Sequence, residues 1–276
     1  MSCVVEETIK KKRFEFGKNW KRFLSTLNEE RIVEAERSLR DMLDCESLQG
    51  RSFLDIGSGS GLFSLAAKRL GARVHSFDYD PASVRCTSEL KKRFYADADD
   101  WTVERGSALD KAYLRSLGTS DVVYSWGVLH HTGDMWTALD CAALPVARNG
   151  QLFIAIYNDQ DIVSVVWTKI KETYCSGALG QFLVKAVMLP YFLLQSVAVG
   201  VVRYRSPLRH FSEYKKRRGM SIYHDWIDWL GGYPFEVARP EQIFDHYTRR
   251  GFELEKLVTT NRLGCNEFVF RKKSLK

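Results

Sequence analysis

The sequence predicts an α/β fold: a doubly wound, mostly parallel sheet with a helical insertion. Three observations predict it. Short apolar runs of strand length alternate with segments of helical period between Ser52 and Tyr157. A glycine-rich turn joins the first run to the helix after it, and two apolar runs bracket a polar loop near the end. From Asp159 to Pro240 the composition changes, so this stretch reads as an insertion.

In chain order, Ile32, Val33, Ala35, Leu39, Met42 and Leu43 recur at helical spacing and predict a helix over Glu29–Asp44. Ser52–Ile56 is a short apolar strand, Gly57–Gly61 the glycine turn, Leu62–Leu70 a helix, and Arg73–Phe77 a second strand ending in Asp78. Asp80-Pro81 starts a further helix, an acid suited to the cap followed by a proline suited to the first turn. Trp101–Glu104 and Asp121–Ser125 are the third and fourth strands. Gly150–Tyr157 is the fifth, after an Asn149-Gly150 turn, and Phe252–Thr259 with Glu267–Arg271 forms a terminal hairpin. The organisation expected is therefore a helical segment over 1–48, a ligand-binding core over 49–158, a helical lid or insertion over 159–240, and the rest of the core sheet over 241–276.

A chain of 276 residues suits one generous domain with an insertion, and 45% hydrophobic with 13% aromatic content excludes a disordered or fibrous class. The six cysteines, Cys3, Cys45, Cys86, Cys141, Cys175 and Cys265, lie at wide, irregular spacing, which predicts reduced thiols and a cytoplasmic location. No Cys/His or Asp/His cluster of ligand spacing appears, so no metal is implied. Met1–Arg13 lacks the apolar core of an export signal. The net charge of +7 belongs to one segment: Ser164–Met220 holds ten Lys/Arg against Glu172 and Glu213, leaving 31 basic and 32 acidic residues elsewhere. That segment is expected to face something anionic.

The glycines of Gly57-Ser58-Gly59-Ser60-Gly61 stand where the chain must turn sharply and present backbone to a ligand. Dinucleotide-binding domains use a similar turn to seat pyrophosphate, so the spacing alone does not choose between nucleotide cofactors. Asp55, inside the strand end, would repel a pyrophosphate but can hold an ammonium or organise the turn. Asp78, 23 residues further on, can accept both hydroxyls of a ribose, a feature that fits NAD and S-adenosylmethionine (SAM) alike.

Leu54–Gly61, Val74–Asp78, and Asp121–Ser125 running into Val128-Leu129-His130-His131 together resemble the class I SAM-dependent methyltransferase superfamily. The resemblance implies a Rossmann-like sheet of seven strands with an antiparallel terminal hairpin, and SAM as cofactor. It also implies that Gly57, Ser58 and Gly59, with Gly61 in the same turn, contact the methionine moiety, Asp78 the ribose, and Ser107 and Ala108 the adenine edge. The family often has Asp where this chain has Ser107. Trp126 would wall the methyl-donor pocket.

Methyl transfer from a sulfonium needs in-line approach of a nucleophile and often a base to deprotonate a hydroxyl. The candidates are His130 and His131, of which His131 is the catalytic one, Tyr157 with Asn158, and the run Gly219–Glu236. That run resembles one in a subgroup of bacterial methyltransferases found among sugar- and cell-surface-modifying genes. The subgroup also shares Phe14-x-Phe16-Gly17-x-Asn19-Trp20. Within it, His224 beside Asp225 has the form of an imidazole base held by a carboxylate. The competing reading is an amphipathic helix with Trp226, Trp229 and Leu230 inward and His224 capping a turn. For His130 and His131 the competing role is to shape their loop.

Phe182–Val202 is almost apolar, interrupted by Lys185, Pro190, Gln195 and Ser196. Pro190 predicts two shorter helices, a lid over the site. The alternative is peripheral membrane contact through 182–218, where apolar sequence adjoins Arg203, Arg205, Arg209 and Lys215–Arg218. The function expected is O-methylation of a hydroxylated small molecule, most naturally a sugar or glycoconjugate. An RNA methyltransferase, a quinone or lipid methyltransferase and a non-catalytic SAM-binding module are the alternatives. A nucleic-acid partner is disfavoured because the basic residues adjoin apolar sequence instead of aromatic stacking platforms.

Overall fold

The computed structural model describes Leu24, residues 27–206 and residues 222–274. The Phe14–Trp20 motif and the basic residues Arg209 and Lys215–Arg218 lie outside the described residues. The chain divides into two compact units, one containing Ile162–Phe235 and the other containing Glu15–Asp161 with Glu236–Lys276.

The larger unit holds a seven-stranded sheet. Its strands are β1 (Ser52–Ile56), β2 (Arg73–Asp78), β3 (Trp101–Arg105), β4 (Ser120–Trp126), β5 (Val146–Tyr157), β6 (Phe252–Val258) and β7 (Cys265–Lys272). The order is β3-β2-β1-β4-β5-β7-β6. β1 pairs in parallel with β2 and with β4, β7 runs antiparallel to β5, and β6 antiparallel to β7. The direction of winding therefore reverses at β1, and crevices at such switch points, beyond the strands' carboxyl ends, are where open α/β sheets bind ligands.

The sheet helices are α1 (Glu29–Leu43), α2 (Leu62–Arg69), α3 (Pro81–Phe94), α4 (Lys111–Ser116) and α5 (Met135–Ala142), with a later helix after the insertion. Strand alternation sorts side chains into two cores. Phe53, Val74, Trp101, Tyr124 and Phe153 join the buried face of α1 and α2 in one. Leu54, Ile56, Phe77, Val123 and Ile154 join α5 in the other. Asn28 caps α1 and Asp80 caps α3, where the carboxylate accepts from the Ala82 N–H and Pro81 opens the helix. Val33, expected inward on α1, is exposed, and Glu36 is buried instead, bonded to Arg69 at 2.8 Å.

Two expectations are corrected within this unit. β5 begins at Val146, four residues before the predicted start, and Asn149-Gly150 lies inside it. Asn149 adopts φ 59°, and the β4–β5 register passes from Ser120 opposite Val146 to Val122 opposite Gln151, so the pair sits in an irregular stretch within the strand instead of preceding it.

The smaller unit contains α6 (Ile162–Tyr174), α7 (Ala178–Tyr204) and α8 (Ile222–Gly231), and the chain then enters α9 (Pro240–Thr248) in the larger unit. α7 passes through Pro190 without interruption, so the predicted break into two helices does not occur. Proline in a helix interior costs about 3 kcal/mol. Here a buried stripe of Val184, Phe192 and Ser196 spans the proline and holds both halves on one axis. Trp167 stacks on Phe192 at 6.2 Å, and Trp226 meets the same ring at 5.6 Å. Lys185, which interrupts the apolar run, lies 5.6 Å over the Tyr174 ring of α6.

Candidate functional site

The glycine turn leaves β1 at the switch point with its backbone tied to β2. The Gly57 and Ser58 N–H groups donate to the Phe77 carbonyl at 2.9 and 3.0 Å. Gly57 has φ 80°, and a Cβ there would lie 2.4 Å from Cγ1 of Val128. Gly61, at φ 81°, would bring a Cβ within 2.8 Å of the Thr87 backbone. Packing against Val128 and Thr87 thus requires both glycines, and the turn they allow forms a cradle at the N-terminus of α2, where backbone N–H groups can meet a cofactor's polar end. Gly57→Ala is expected to cost about 1–3 kcal/mol of stability and to weaken S-adenosylhomocysteine (SAH) binding at least about tenfold. Adding Val128→Ala should recover part of both, as read by thermal unfolding and calorimetric titration.

Asp78 joins two turns. Its Oδ2 accepts from the Gly59 N–H at 2.9 Å and its Oδ1 from the Asp80 N–H at 2.8 Å. The carboxylate is therefore fixed at the mouth of the cradle, half-buried, and is not the helix cap, which is Asp80. Ser58 Oγ pairs with Thr87 Oγ1 at 2.9 Å, clamping the turn to α3.

Asp55 lies beneath the turn on the α1–α2 face and is buried. Its Oδ2 accepts from Ser64 Oγ at 2.5 Å, Ser64 Oγ lies 2.7 Å from Ser76 Oγ, and the Trp101 indole N–H donates to Ser76 at 3.0 Å. Burial raises the Asp55 carboxyl to about 7, nearby Asp78 adds to the rise and the Ser64 hydrogen bond opposes it. The geometry makes Asp55 an organiser of β1, β2 and α2 under the turn.

Ser107 and Ala108 follow β3, both half-buried, with Ser107 Oγ accepting from the Leu109 N–H at 3.2 Å. The adjacent Gly106 N–H donates to the Asp78 carbonyl at 3.1 Å, which places this loop beside the end of β2. Trp126 ends β4, 44% exposed, its indole N–H donating to Glu267 Oε1 at 3.1 Å.

His130, His131 and Tyr157 form one ring cluster beyond the carboxyl ends of β4 and β5. The His130 ring lies 4.5 Å from that of His131 and 4.1 Å from that of Tyr157. His130 is fully buried, and its Nδ1 accepts from the Tyr157 N–H at 3.3 Å. That contact makes it the loop-shaping histidine. His131 is the more accessible of the pair and is still mostly buried. Burial pushes the Tyr157 phenol well above its usual range, so it stays protonated near neutrality and can offer a hydrogen bond instead of serving as a base. Asn158 is structural, bonded to Thr260 and Asn266 at 2.9 and 3.0 Å.

Glu236 has a role the sequence did not disclose. Its carboxylate accepts from the N–H groups of Gly133 and Met135 at 3.0 and 3.1 Å, at the N-terminus of α5, and its own N–H donates to the His130 carbonyl. It ties down the histidine loop from 103 residues away in sequence, a separation no local pattern could signal. His224 and Asp225 fall on α8. Their side chains lie outside the described residues.

Lys171, counted above among the residues expected to face an anion, is buried in the smaller unit. Its Nζ donates to the Trp229 carbonyl and sits 4.1 Å from the Trp229 ring and 4.9 Å from that of Phe235. Burial lowers its ammonium to about 7.

A model of the methyltransferase domain matches residues 19–251. The mitochondrial ubiquinone biosynthesis O-methyltransferase of Homo sapiens is 31% identical over 133 residues, which are 48% of this chain and 32% of that protein. The ubiquinone biosynthesis O-methyltransferase of Methylobacterium sp. (strain 4-46) is 31% identical over 121 residues, 43% of this chain and 46% of that one. The chain thus spans a third to a half of the curated relatives it matches. The magnesium protoporphyrin IX methyltransferase of Synechocystis PCC 6803, solved with bound SAH, superimposes with a TM-score of 0.53 at 13% identity, covering 88% of this chain and 83% of that one. At that identity the likeness is one of fold. The family match runs across most of the chain, and the strand order and glycine turn agree with it: the chain belongs to the methyltransferase-domain family and has the fold of the class I SAM-dependent methyltransferases.

Proposed function

We propose that this chain transfers the methyl group of SAM to a hydroxyl oxygen of a small molecule. The observation that carries the reading is the glycine turn at the switch point and the N-terminus of α2, with the Asp78 carboxylate fixed at its mouth by Gly59 and Asp80. Gly57, Ser58, Gly59 and Gly61 would seat the methionine end and Asp78 the ribose. Asp55 would support the turn from below, Ser107 and Ala108 would edge the adenine, and Trp126 would wall the methyl end. When bound, SAM supplies an electrophilic methyl on a sulfonium. The chain then has to hold an acceptor in line, keep water away and take up the hydroxyl proton.

His131 is the titratable ring of the larger unit suited to take that proton, with Tyr157 as hydrogen-bond donor beside it. His224 is the acceptor-side candidate, and the sequence pattern alone supports it. The acceptor read from the sequence is a sugar or glycoconjugate. A quinone or lipid acceptor is the second reading, favoured because two relatives carry the name of ubiquinone O-methyltransferase and because α6 and α7 present apolar side chains outward.

Purified protein with methyl-labelled SAM and separate glycan, lipid-extract and RNA fractions tests both. Label in the glycan fraction that survives mild base, as a methyl ether does and an ester does not, supports the first reading. The same result in the lipid fraction supports the second, and label in RNA or in none overturns the proposal. His131→Ala and His224→Ala should each lower turnover by about 10²-fold if the ring is the base, with SAH affinity unchanged. Unaltered turnover removes that residue from the mechanism.

A further inference from the structure

The two long helices of the smaller unit leave many of their apolar side chains exposed. On α7 the buried stripe includes Gly180, Val184, Phe192, Ser196 and Gly200, which recur at intervals of four or eight along the helix. Three of those five are glycine or serine. The outward face carries the bulk: Phe182, Val187, Leu194 and Val202 are 68%, 69%, 70% and 85% exposed. On α6, Ser164 and Lys171 are buried beside Trp167 and Tyr174, while Ile162 is 79% exposed and Val165 62%. An amphipathic helix of a soluble domain turns its apolar stripe inward, and scattered exposed residues are ordinary. A continuous apolar face along a helix of 27 residues, about 40 Å long at the usual rise, is not.

Charge selects among the surfaces that could cover it. With Lys171 buried, the other described basic residues from Ser164 to Ser206 are Lys169, Lys185, Arg203 and Arg205, against one acid, Glu172. Arg203 and Arg205 stand at the carboxyl end of α7 and Arg209 and Lys215–Arg218 follow in sequence. Two copies meeting through this face about a two-fold axis would cover the apolar side chains and leave the basic residues without an anionic partner. An RNA would take the charges and leave the apolar face in water. An anionic bilayer surface matches both, with phosphates against the Lys/Arg and acyl chains against the apolar face.

We propose that α6 and α7 dock this protein on the surface of an anionic lipid bilayer. The face extends beyond the apolar run at 182–202 to include Ile162 and Val165, and it requires α7 to be the single helix observed. The inference stands independently of the methyl-transfer reading, because SAH binding is measured separately.

The test uses the full chain in co-sedimentation with vesicles of phosphatidylglycerol and phosphatidylcholine, against phosphatidylcholine alone. The double variant Val187→Glu/Leu194→Glu changes two exposed positions, two helical turns apart, that the folded unit does not bury. Wild type should pellet with the anionic vesicles, and the variant, or a salt concentration of about 0.5 M, should weaken partitioning at least about tenfold. SAH affinity should be the same in variant and wild type, and an unchanged helical circular-dichroism signal shows that α6 and α7 remain folded in the variant. Failure to pellet, or pelleting that the variant leaves unchanged, overturns the proposal. So does a dimer in solution that the variant dissociates without any vesicle binding. Retention in cell membranes after alkaline extraction would make α7 a span and overturn the surface assignment.

Discussion

Asp78→Ala is expected to remove calorimetrically measurable SAH binding, a loss of at least about 100-fold. The carboxylate is placed to act twice. It accepts from the Gly59 and Asp80 N–H groups, so it fixes the relative position of the glycine turn and the start of α3. In the proposed reading its remaining acceptor capacity meets the ribose hydroxyls. Hydrogen bonds to a charged group contribute about 1.5–3 kcal/mol each, and two lost from a bound ribose already account for two or more orders of magnitude. The two roles separate by variant. Asp78→Asn keeps one acceptor oxygen and so one of the two ties, so it should be more stable than Asp78→Ala and still lose most of the affinity. If Asp78→Ala binds SAH as wild type does, the cradle is not the cofactor seat and NAD becomes the ligand to titrate. If both variants lose stability and neither loses affinity in the folded fraction, Asp78 is only a tie between turns.

The parts of this molecule that read directly from sequence are those whose cause is local. β1, the glycine turn, α2 and β2 follow from strand-length apolar runs and three glycines, and the Asp80-Pro81 start of α3 follows from capping chemistry. Asp78 was legible because its meaning depends on its spacing from the turn. The rest depends on contacts distant in sequence. Pro190 breaks a helix when judged by its own cost, yet α7 runs through it because Phe192 and Ser196 beyond the proline bury on the same stripe as Val184 before it. Asn149-Gly150 reads as a turn by residue type, and pairing with β4 places it in an irregular stretch within β5. Lys171 counts as surface charge in any composition, whereas its ammonium lies among the rings of Trp229 and Phe235, 58 residues or more along the chain. Glu236 stands in an aromatic, glycine-rich run that suggests a pocket, and its carboxylate holds the α5 N-terminus. A side chain's identity shows what it can bond, and only the fold shows what lies within reach.

Asp55 provides the second large effect, through pH. A buried carboxyl held at about 7 keeps its proton in the folded state over a range where the unfolded chain, near 3.8, has released it. The folded state therefore binds more protons between about pH 4 and 7, and stability falls as pH rises through that window. At about 1.36 kcal/mol per unit the decline is on the order of 4 kcal/mol for the isolated group. Asp55→Asn has the same shape, still accepts from Ser64 Oγ and does not titrate. Its unfolding free energy should stay level over the window, so that the variant is the more stable protein at pH 8 and not at pH 4. Parallel profiles for the two proteins would show that the carboxyl ionises without penalty and that the Ser64 and Ser76 chain offsets its burial. The same pair of proteins decides between the two roles read for Asp55. A carboxylate that holds the ligand's ammonium must be ionised to do so, so SAH affinity in wild type would rise as pH increases toward 7 and the variant would lose that dependence. A carboxyl that only organises β1, β2 and α2 leaves affinity flat in both proteins while the stability profiles still diverge. Its burial and its Ser64 partner favour the second result, because an ammonium would have to be buried beside a carboxyl already bonded to Ser64 at 2.5 Å.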